Sequence, residues 1–462
     1  MNELGKVLKV EWALLFLVSV VSFVIFRYHD LDSLTIWSIY LLDVIFEGRV
    51  MDVYLLSLEN PLNAPHAPIS YDIFAFMPWA IWNIPIWIGH RFFDVHVPTS
   101  ILSILWSKLF LVANLGITAI YARKIMLLLT KDVNRSNWVA FLSMASIFSL
   151  IGVYYAGQND ITTVMFSTIA IYFLLKKQEW KFLLFAAFAV AAKPFFMFSF
   201  IGTILLYEKR LDKIAIKIAF GASVLVLSRL VFSGAPGFPD ASGVRELGWL
   251  LNVGIDTHSG LASYFVLGLL VIYYFCYMKN IDVETLKGGT FIIWVNAAIY
   301  LVMFSFGIHP WYRYVYLIPF VPILLLLNMK ALKINMLVYT AVSALIILLY
   351  MARDNVNFFR TFHLDGAVIV RFFGEEFWRA PRRYVGAHFM SIDLIPTWMH
   401  PPLAAITLFG LAFLVITNYP DFKARVPLEG EGGKCGRWIL WCNAFLFVPF
   451  LSGLLYALFS VV

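Results

Sequence analysis

The stretch from Trp12 to Phe26, WALLFLVSVVSFVIF, is apolar without a break and is followed at once by the charged string RYHDLD, residues 27–32. A helix of this length, at about 1.5 Å rise per residue, crosses most of a roughly 30 Å hydrocarbon layer. Similar runs recur along the 462 residues, of which 61% are hydrophobic and only 14% charged. A soluble domain is about half apolar and a quarter charged. The sequence therefore predicts an all-α polytopic membrane protein, and its continuous runs exclude a transmembrane β-barrel.

Lys and Arg set the direction of the predicted crossings. We predict about 13 crossings, at residues 11–27, 103–122, 138–156, 160–175, 182–193, 195–207, 214–232, 260–278, 289–308, 313–329, 334–351, 402–417 and 438–460. With the amino terminus inside, the larger share of the 35 Lys and Arg residues falls in short cytoplasmic loops, as the positive-inside rule requires. This placement accounts for the net charge of +7 without a nucleic-acid partner. No small-residue cleavage site follows the first run, so we expect it to remain as the first helix.

The predicted topology divides the chain into three parts. Residues 1–351 form a transmembrane module that includes a large outer loop at 28–102. Residues 352–401 form a second outer loop that is rich in arginine, and residues 402–462 form the last transmembrane helices.

Two helices are expected to lie in the outer membrane interface within the loop 28–102. In the first, residues 33–48, Asp43 and Glu47 extend an acidic stripe on the side opposite Leu34, Trp37, Leu41 and Ile45. The second, residues 71–89, is interrupted by prolines and carries tryptophans suited to the headgroup level.

Asp30 and Asp32 are the candidate catalytic acids, with His29 beside them as a candidate substrate-binding residue. They stand where an apolar helix meets the outer surface, so water reaches them. A partly desolvated carboxylate can act as a general base on a hydroxyl, and one such group suffices when the leaving group is good. The alternative is a solvated interfacial turn with no chemical role.

Four cations are candidates for binding a phosphate: Lys193, Arg313, Arg382 and Arg383. Lys193 interrupts the apolar run 182–207, where a cation is costly unless it reaches water or meets an anion. Arg382 and Arg383 belong to the outer loop 352–401, and paired guanidinium groups bind phosphate oxygens bidentately. Nonspecific binding of anionic lipid headgroups is the alternative for the arginines of this loop.

Five further polar residues are candidates for substrate binding: His66, Tyr71, Gln158, Asp160 and His309. The first two lie in or directly after a proline-rich stretch that cannot be helical throughout, and a stiff linker explains that stretch equally well. Asp160 can serve as a helix cap, with no substrate contact. The three cysteines have no paired spacing, and we predict no metal site and no cofactor.

Taken together, these features resemble the C-type superfamily of integral-membrane glycosyltransferases (GT-C), which use polyprenyl-phosphate sugars as donors. Members carry one or two acids directly after the first span and two interfacial helices in the first outer loop, the places that Asp30-Leu31-Asp32 and residues 33–48 and 71–89 occupy here. The string 27–32 is similar to the acidic motif of the mannosyltransferases that build glycolipid anchors.

Three smaller elements extend the resemblance, which covers about 1–330 in outline. Tyr71 resembles the tyrosine- and proline-rich entry to the second interfacial helix, although the usual paired prolines are absent. Gly157-Gln158 and Lys193-Pro194 resemble recurrent polar interruptions of the bacterial branches.

The resemblance implies an inverting transfer at the extracytoplasmic face of the cell membrane. Asp30, rather than Asp32, then deprotonates an acceptor hydroxyl that attacks the anomeric carbon, and the lipid phosphate leaves. The implied partners are a polyprenyl-phosphate sugar donor, a lipid- or glycan-linked acceptor and membrane lipids. The residues themselves fit, because a phosphate leaving group needs cations rather than a second carboxylic acid.

Two other functions compete with this interpretation. An oligosaccharide-lipid ligase or polymerase would share an outer cationic site, but it would depend on the arginine-rich loop and not on Asp30. A secondary transporter would place ionisable residues at mid-bilayer in two related halves, whereas here most acids lie at the predicted outer ends of the spans.

Overall fold

The computed structural model of the protein describes residues 6–25, 29–64, 68–97, 100–238, 248, 250–258, 260–307, 311–353 and 396–421. Most of these residues are helical, as the apolar runs predict. The first helices are α1 (Lys9–Ile25), α2 (His29–Phe46), α3 (Val53–Glu59), α4 (Ile73–Trp82), α5 (Ile84–Phe93) and α6 (Ile101–Thr130). They are followed by α7 (Val133–Ala145), α8 (Ile147–Ser149), α9 (Asp160–Leu175), α10 (Glu179–Ala192), α11 (Phe196–Tyr207) and α12 (Leu211–Phe232). The last are α13 (Tyr264–Met278), α14 (Leu286–Phe306), α15 (Phe320–Leu327), α16 (Leu332–Arg353) and α17 (His400–Thr417).

Six helical segments within the described ranges are long and apolar enough to cross a membrane. They are Ile101–Thr130, Val133–Tyr155, Leu211–Phe232, Leu286–Phe306, Met329–Leu349 and His400–Thr417. Four shorter apolar helices accompany them: Ile73–Trp82, Asp160–Leu175, Phe196–Tyr207 and Tyr264–Met278. The protein is therefore a predominantly helical membrane protein. The number of 13 crossings stays a prediction, and the span 438–460 lies outside the described residues.

Side-chain caps fix where several of the long helices begin. Ser100 accepts a hydrogen bond from the Ser103 backbone N–H at the start of α6, and Asp132 accepts one from that of Arg135 at the start of α7. Thr285 does the same for Gly288 at the start of α14. Each bond satisfies a backbone donor that the helix itself leaves without a partner.

The predicted outer loop 28–102 contains more helices than expected. Its described residues form four α-helices between α1 and α6, namely α2 to α5, where we predicted two. The predicted helix 71–89, which we expected prolines to interrupt, is divided at Asn83, and Pro85 lies in the first turn of α5. Helix α2 is buried on every side from Leu31 to Leu41, so the predicted acidic stripe is buried at Asp32, half-buried at Asp43 and exposed only at Glu47, beyond the end of the helix. Asp43 instead accepts a hydrogen bond of 2.8 Å from the Trp87 indole.

Two predicted spans are also not continuous α-helices. The segment 260–278 begins as strand β2 (Gly260–Ser263), which pairs antiparallel with β1 (Gly254–Thr257), and only then becomes α13. The segment 313–329 is a 3₁₀ helix, Trp311–Leu317, followed by the short α15. Within the described ranges, the all-α description therefore holds apart from one small hairpin.

Helices α9 and α10 run antiparallel and define two ends of the molecule. At one end, which we call the Asp160 end, α9 begins with Asp160 and α10 is followed by Lys193. At the other, the Lys177 end, the two helices are joined by residues 176–178. A helix the length of α9 separates the two ends by about 24 Å.

Candidate functional site

The predicted base Asp30 lies in the first turn of α2, where a carboxylate is favoured by the helix dipole. The amide Nε2 of Gln158 donates a hydrogen bond of 2.5 Å to Asp30 Oδ2, across 128 residues of sequence. Asp30 is half-buried, and Asp32 is buried with 8% exposure. The structure therefore brings together the predicted base and a predicted substrate-binding amide.

A glycine makes this approach possible. Gly157 has φ +57°, a conformation that other residues adopt only with strain. A Cβ at Gly157 would lie 3.1 Å from the Cβ of Leu31, on the first turn of α2. The chain reaches this turn from a π-helical segment, Leu150–Tyr155, whose Gly152 carbonyl accepts a hydrogen bond of 2.9 Å from the Gln158 backbone N–H. Single π-helical turns of this kind occur frequently at functional sites.

Lys193 meets an anion from the protein itself. Its Nζ lies 3.5 Å from Asp160 Oδ1, and the two side chains are 5% and 2% exposed. The same Nζ donates a hydrogen bond of 3.1 Å to the hydroxyl of Tyr71. The hydroxyl of Tyr316 donates to Asp160 Oδ1 at 3.3 Å. Three predicted site residues, Lys193, Asp160 and Tyr71, are thus in direct contact, and Asp160 both begins α9 and pairs with a cation.

Arg313 approaches the same group from the 3₁₀ helix, and its side chain is buried at 4% exposure. Its guanidinium carbon lies 5.5 Å from the centre of the Phe195 ring, and Lys193 Nζ lies 5.7 Å from the same ring. Both predicted cations therefore contact one aromatic residue, at distances at which cation–π attraction operates.

A second ion pair supports Tyr71 from behind. Arg229, in the last turn of α12, binds both carboxylate oxygens of Asp72, with Nε 3.1 Å from Oδ1 and the terminal nitrogen 3.1 Å from Oδ2. Tyr54 donates a hydrogen bond of 3.2 Å to the Tyr71 carbonyl. Burial, together with the negative charge of Asp72, raises the pKa of Tyr54 well above its usual value, so this hydroxyl stays protonated and continues to donate.

The sequence did not single out this pair, although it contained a signal. Arg229 is an isolated cation near the end of an apolar helix, and such a cation needs an anion. Asp72 is the acid next to Tyr71, which was already a candidate. Tyr316 was missed as well, because a tyrosine in an aromatic segment reads as a membrane-belt residue.

Two further contacts hold the site's elements in place. The Trp79 indole donates a hydrogen bond of 2.6 Å to Asn159 Oδ1, and the Asn159 amide donates to the Ala75 carbonyl at 2.9 Å, so α4 is bound to the start of α9. Lys108, buried in α6, donates to the Ser22 and Phe23 carbonyls in the last turn of α1. A cation there satisfies carbonyls that the end of a helix leaves unpaired, and it fixes the end of α1 just before Asp30.

The remaining candidates cannot be placed. His66, His309, Arg382 and Arg383 lie outside the described residues, as does most of the loop 352–401. The backbone of His29 begins α2, but its side chain is not described. In the part of the chain that the structure does describe, no three His, Cys, Asp or Glu residues are grouped to hold a metal ion.

Comparison with protein-family models, with curated proteins and with solved structures gives no match for this chain. The case for a function therefore depends on the residues and geometry of the Asp160 end.

Proposed function

We propose that the protein is a glycosyltransferase that moves a sugar from a polyprenyl-phosphate donor to a lipid- or glycan-linked acceptor, with inversion, at the extracytoplasmic face. The sugar is mannose or a related hexose or pentose. The observation that carries the proposal is the hydrogen bond from Gln158 to Asp30, because Gln158 lies two residues before Asp160, which pairs with Lys193 in a buried cluster with Tyr71.

In this mechanism Asp30 accepts the proton of the acceptor hydroxyl. The acceptor oxygen forms a bond to the anomeric carbon as the bond from that carbon to the phosphate oxygen breaks, and the lipid phosphate leaves with the electron pair. The hydrogen bond from Gln158 orients the carboxylate that acts as the general base.

Positive charge must balance the leaving phosphate. The described candidates for this role are Arg313 and Lys193, and Lys193 also faces the Asp160 carboxylate. Arg382 and Arg383 stay candidates for the same role. A guanidinium group matches phosphate geometry and remains charged when buried. Holding donor and acceptor lipids at one interface adds catalysis by orientation.

The test is a comparison of Asp30→Asn with Asp43→Asn in membranes supplied with a panel of polyprenyl-phosphate sugars. Both acids are half-buried on α2, and the Asp43 variant keeps an oxygen that can accept the Trp87 hydrogen bond. We expect the Asp30 variant to lose about 100-fold or more in turnover and the Asp43 variant to resemble the wild type. If the Asp30→Asn variant transferred sugar at the wild-type rate, Asp30 would not be the base.

The same membranes separate the competing functions. A transporter would take up a labelled solute without any change in lipid-linked sugar. A ligase or polymerase would keep its activity in Asp30→Asn and lose it in Arg382→Ala/Arg383→Ala. Identifying the lipid that co-purifies with the wild-type protein would name the donor class directly.

A further inference from the structure

Two buried polar atoms near Tyr71 and Lys193 have no hydrogen-bond partner among the residues that the structure describes. They are the indole nitrogen Nε1 of Trp37 and the carboxylate oxygen Oδ2 of Asp160. Trp37 is 3% exposed and Asp160 is 2% exposed, so bulk water does not satisfy them. Leaving such groups unpaired costs free energy, and native structures contain few of them. The two atoms therefore call for an explanation.

Both atoms belong to one continuous set of contacts. Trp37 follows Asp30 by seven residues on α2, two helical turns, so the two side chains lie on the same side of the helix. The centres of the Trp37 and Tyr71 rings are 5.8 Å apart, with the rings tilted by 56°. Tyr71 in turn accepts the hydrogen bond from Lys193, which pairs with Asp160. The contact set therefore begins with a buried donor, the Trp37 N–H, and ends with a buried acceptor, Asp160 Oδ2.

The charges of the contact set disfavour a phosphate as the missing partner. Lys193 is compensated by Asp160, and a phosphate placed here would be repelled by that carboxylate. The phosphodiester of a polyprenyl-phosphate sugar can accept from the Trp37 N–H, but it has no proton to give to Asp160. A hydroxyl group both donates and accepts. The two atoms therefore match a neutral ligand that carries several hydroxyls.

We propose that Trp37 and Asp160 bind hydroxyl groups of the transferred sugar, with Trp37 donating to one and Asp160 accepting from another. Lys193 then positions Tyr71 and Asp160, while the donor phosphate lies toward Arg313. The proposal names a subsite of the proposed glycosyltransferase and rests on that function for the identity of the ligand. It makes Trp37 a specificity-determining residue that the sequence did not single out.

The test compares Trp37→Phe with Trp87→Phe. Each substitution removes an indole N–H and keeps an aromatic ring, and the Trp87 N–H is already used by Asp43. We expect Trp37→Phe to raise the KM for the polyprenyl-phosphate sugar about tenfold, the effect of losing one hydrogen bond, and to leave kcat within about twofold. Trp87→Phe should leave the KM unchanged. An equal KM in wild type and Trp37→Phe would overturn the proposal.

A binding measurement on the wild type keeps the proposal testable if Trp37→Phe does not fold. Methyl mannoside and methyl glucoside are added to the purified full chain, and their contact with the protein is followed by saturation-transfer NMR. We expect at least one glycoside to bind and inorganic phosphate not to displace it. Displacement by phosphate, or no binding by either glycoside, would contradict a hydroxyl subsite.

The two measurements also separate this proposal from the proposed function. Transfer that depends on Asp30 but is indifferent to Trp37→Phe refutes the subsite and leaves the glycosyltransferase standing. Glycoside binding that phosphate does not displace, in a protein that transfers no sugar, supports the subsite and refutes the transfer reaction.

Discussion

The two ends of the α9–α10 pair handle charge in different ways. At the Asp160 end, Lys193 and Asp160 are paired with 5% and 2% of their side chains exposed. At the Lys177 end, the pair of Lys177 with Glu284 is 62% and 54% exposed, and Lys287, which binds Asp421, is 63% exposed. Both ends therefore contain ion pairs. The pair of Lys193 with Asp160 is almost fully removed from solvent, whereas even the partly buried pair of Lys217 with Glu208 at the Lys177 end keeps 12% and 15% of its side chains exposed.

This difference indicates what each end does. Exposed pairs contribute roughly 0–1 kcal/mol and need no special explanation. Burying a pair costs a desolvation penalty that its attraction does not reliably repay, so a buried pair is weak evidence for stability. The Asp160 end also holds the partnered Asp30 and Gly157, whose positive φ favours glycine. We infer that its charges serve a site, whereas those of the Lys177 end join loops and orient the chain.

The largest expected effect comes from breaking the buried pair. Lys193→Met leaves Asp160 without its cation, so we expect about 3–5 kcal/mol of destabilisation, measured by thermal or denaturant unfolding in detergent. Lys177→Met, which breaks the exposed pair with Glu284, should cost less than about 1 kcal/mol.

A double variant sharpens the same comparison. Lys193→Met combined with Asp160→Leu removes both charges, and replacing a buried pair with apolar groups is often neutral for stability. We expect this variant to recover most of the lost stability and to remain inactive. Equal destabilisation by Lys193→Met and Lys177→Met would show that the two ends do not differ as described.

Gly157→Ala should have the next largest effect. Its positive φ costs a residue with a Cβ about 1–2 kcal/mol, and the new methyl would press on Leu31. Gly48→Ala is the matched control, because Gly48 also has a positive φ, +70°, but has open space around its Cβ position. We expect both variants to lose stability because of the positive φ, Gly157→Ala to lose more because its methyl presses on Leu31, and only Gly157→Ala to lose transfer activity through displacement of Gln158. Similar activity in the two variants would argue against the contact between Gln158 and Asp30.

Breaking the half-buried pair of Asp72 and Arg229 should destabilise the protein less than breaking the pair of Lys193 and Asp160, and more than breaking the exposed pair of Lys177 and Glu284. The exposed fractions are 7% for Asp72 and 33% for Arg229. We expect Asp72→Asn to cost about 1–3 kcal/mol, the range for a hydrogen bond to a charged group. Asp52→Asn, which breaks an exposed pair with Arg49, should be close to neutral. If Asp72→Asn changed neither the stability nor the kinetics, the pair of Asp72 and Arg229 would not help to hold Tyr71 in place.

Much of the helical layout could be predicted from the sequence, because an apolar run and its flanking charges are local signals. The segment 160–175 coincides with α9, for example. The hairpin before α13 escaped prediction because its apolar residues merge with those of the helix. The burial of α2 on every side from Leu31 to Leu41 also escaped prediction, because the helices that cover it come from elsewhere in the chain.

The sequence was enough to predict most residues of the site, but not which of them contact each other. Asp30, Tyr71, Gln158, Asp160, Lys193 and Arg313 were all candidates on the sequence. Which of them contact each other was not predictable. Gln158 and Asp30 are 128 residues apart in the sequence. For Lys193 we expected a phosphate as the anion, whereas the structure pairs it with Asp160. Trp37 was predicted only as part of an apolar helix side, because an unpaired N–H is visible only once its surroundings are known.

The smallest expected effect lies at the Lys177 end and depends on pH. Hydrogen bonds from Lys279 and Lys287, at 2.6 and 2.5 Å, hold the pKa of Asp421 below its usual value. A carboxyl whose pKa is lower in the folded state than in the unfolded state adds stability above the unfolded value, near pH 4. That stability is lost as the pH falls through the folded value. Because Asp421 is 30% exposed, we expect less than about 1 kcal/mol.

Asp421→Asn should therefore lower the unfolding temperature slightly at pH 7 and should have no effect at a pH below the folded pKa of Asp421. About 0.5 M salt should reduce the difference at pH 7, because the pair is open to solvent. The Asp72→Asn variant should keep most of its loss in the same salt, since Asp72 is buried. If salt reduced both losses equally, the two pairs would be equally screened, and the distinction between a buried end and an exposed end would fail at these residues.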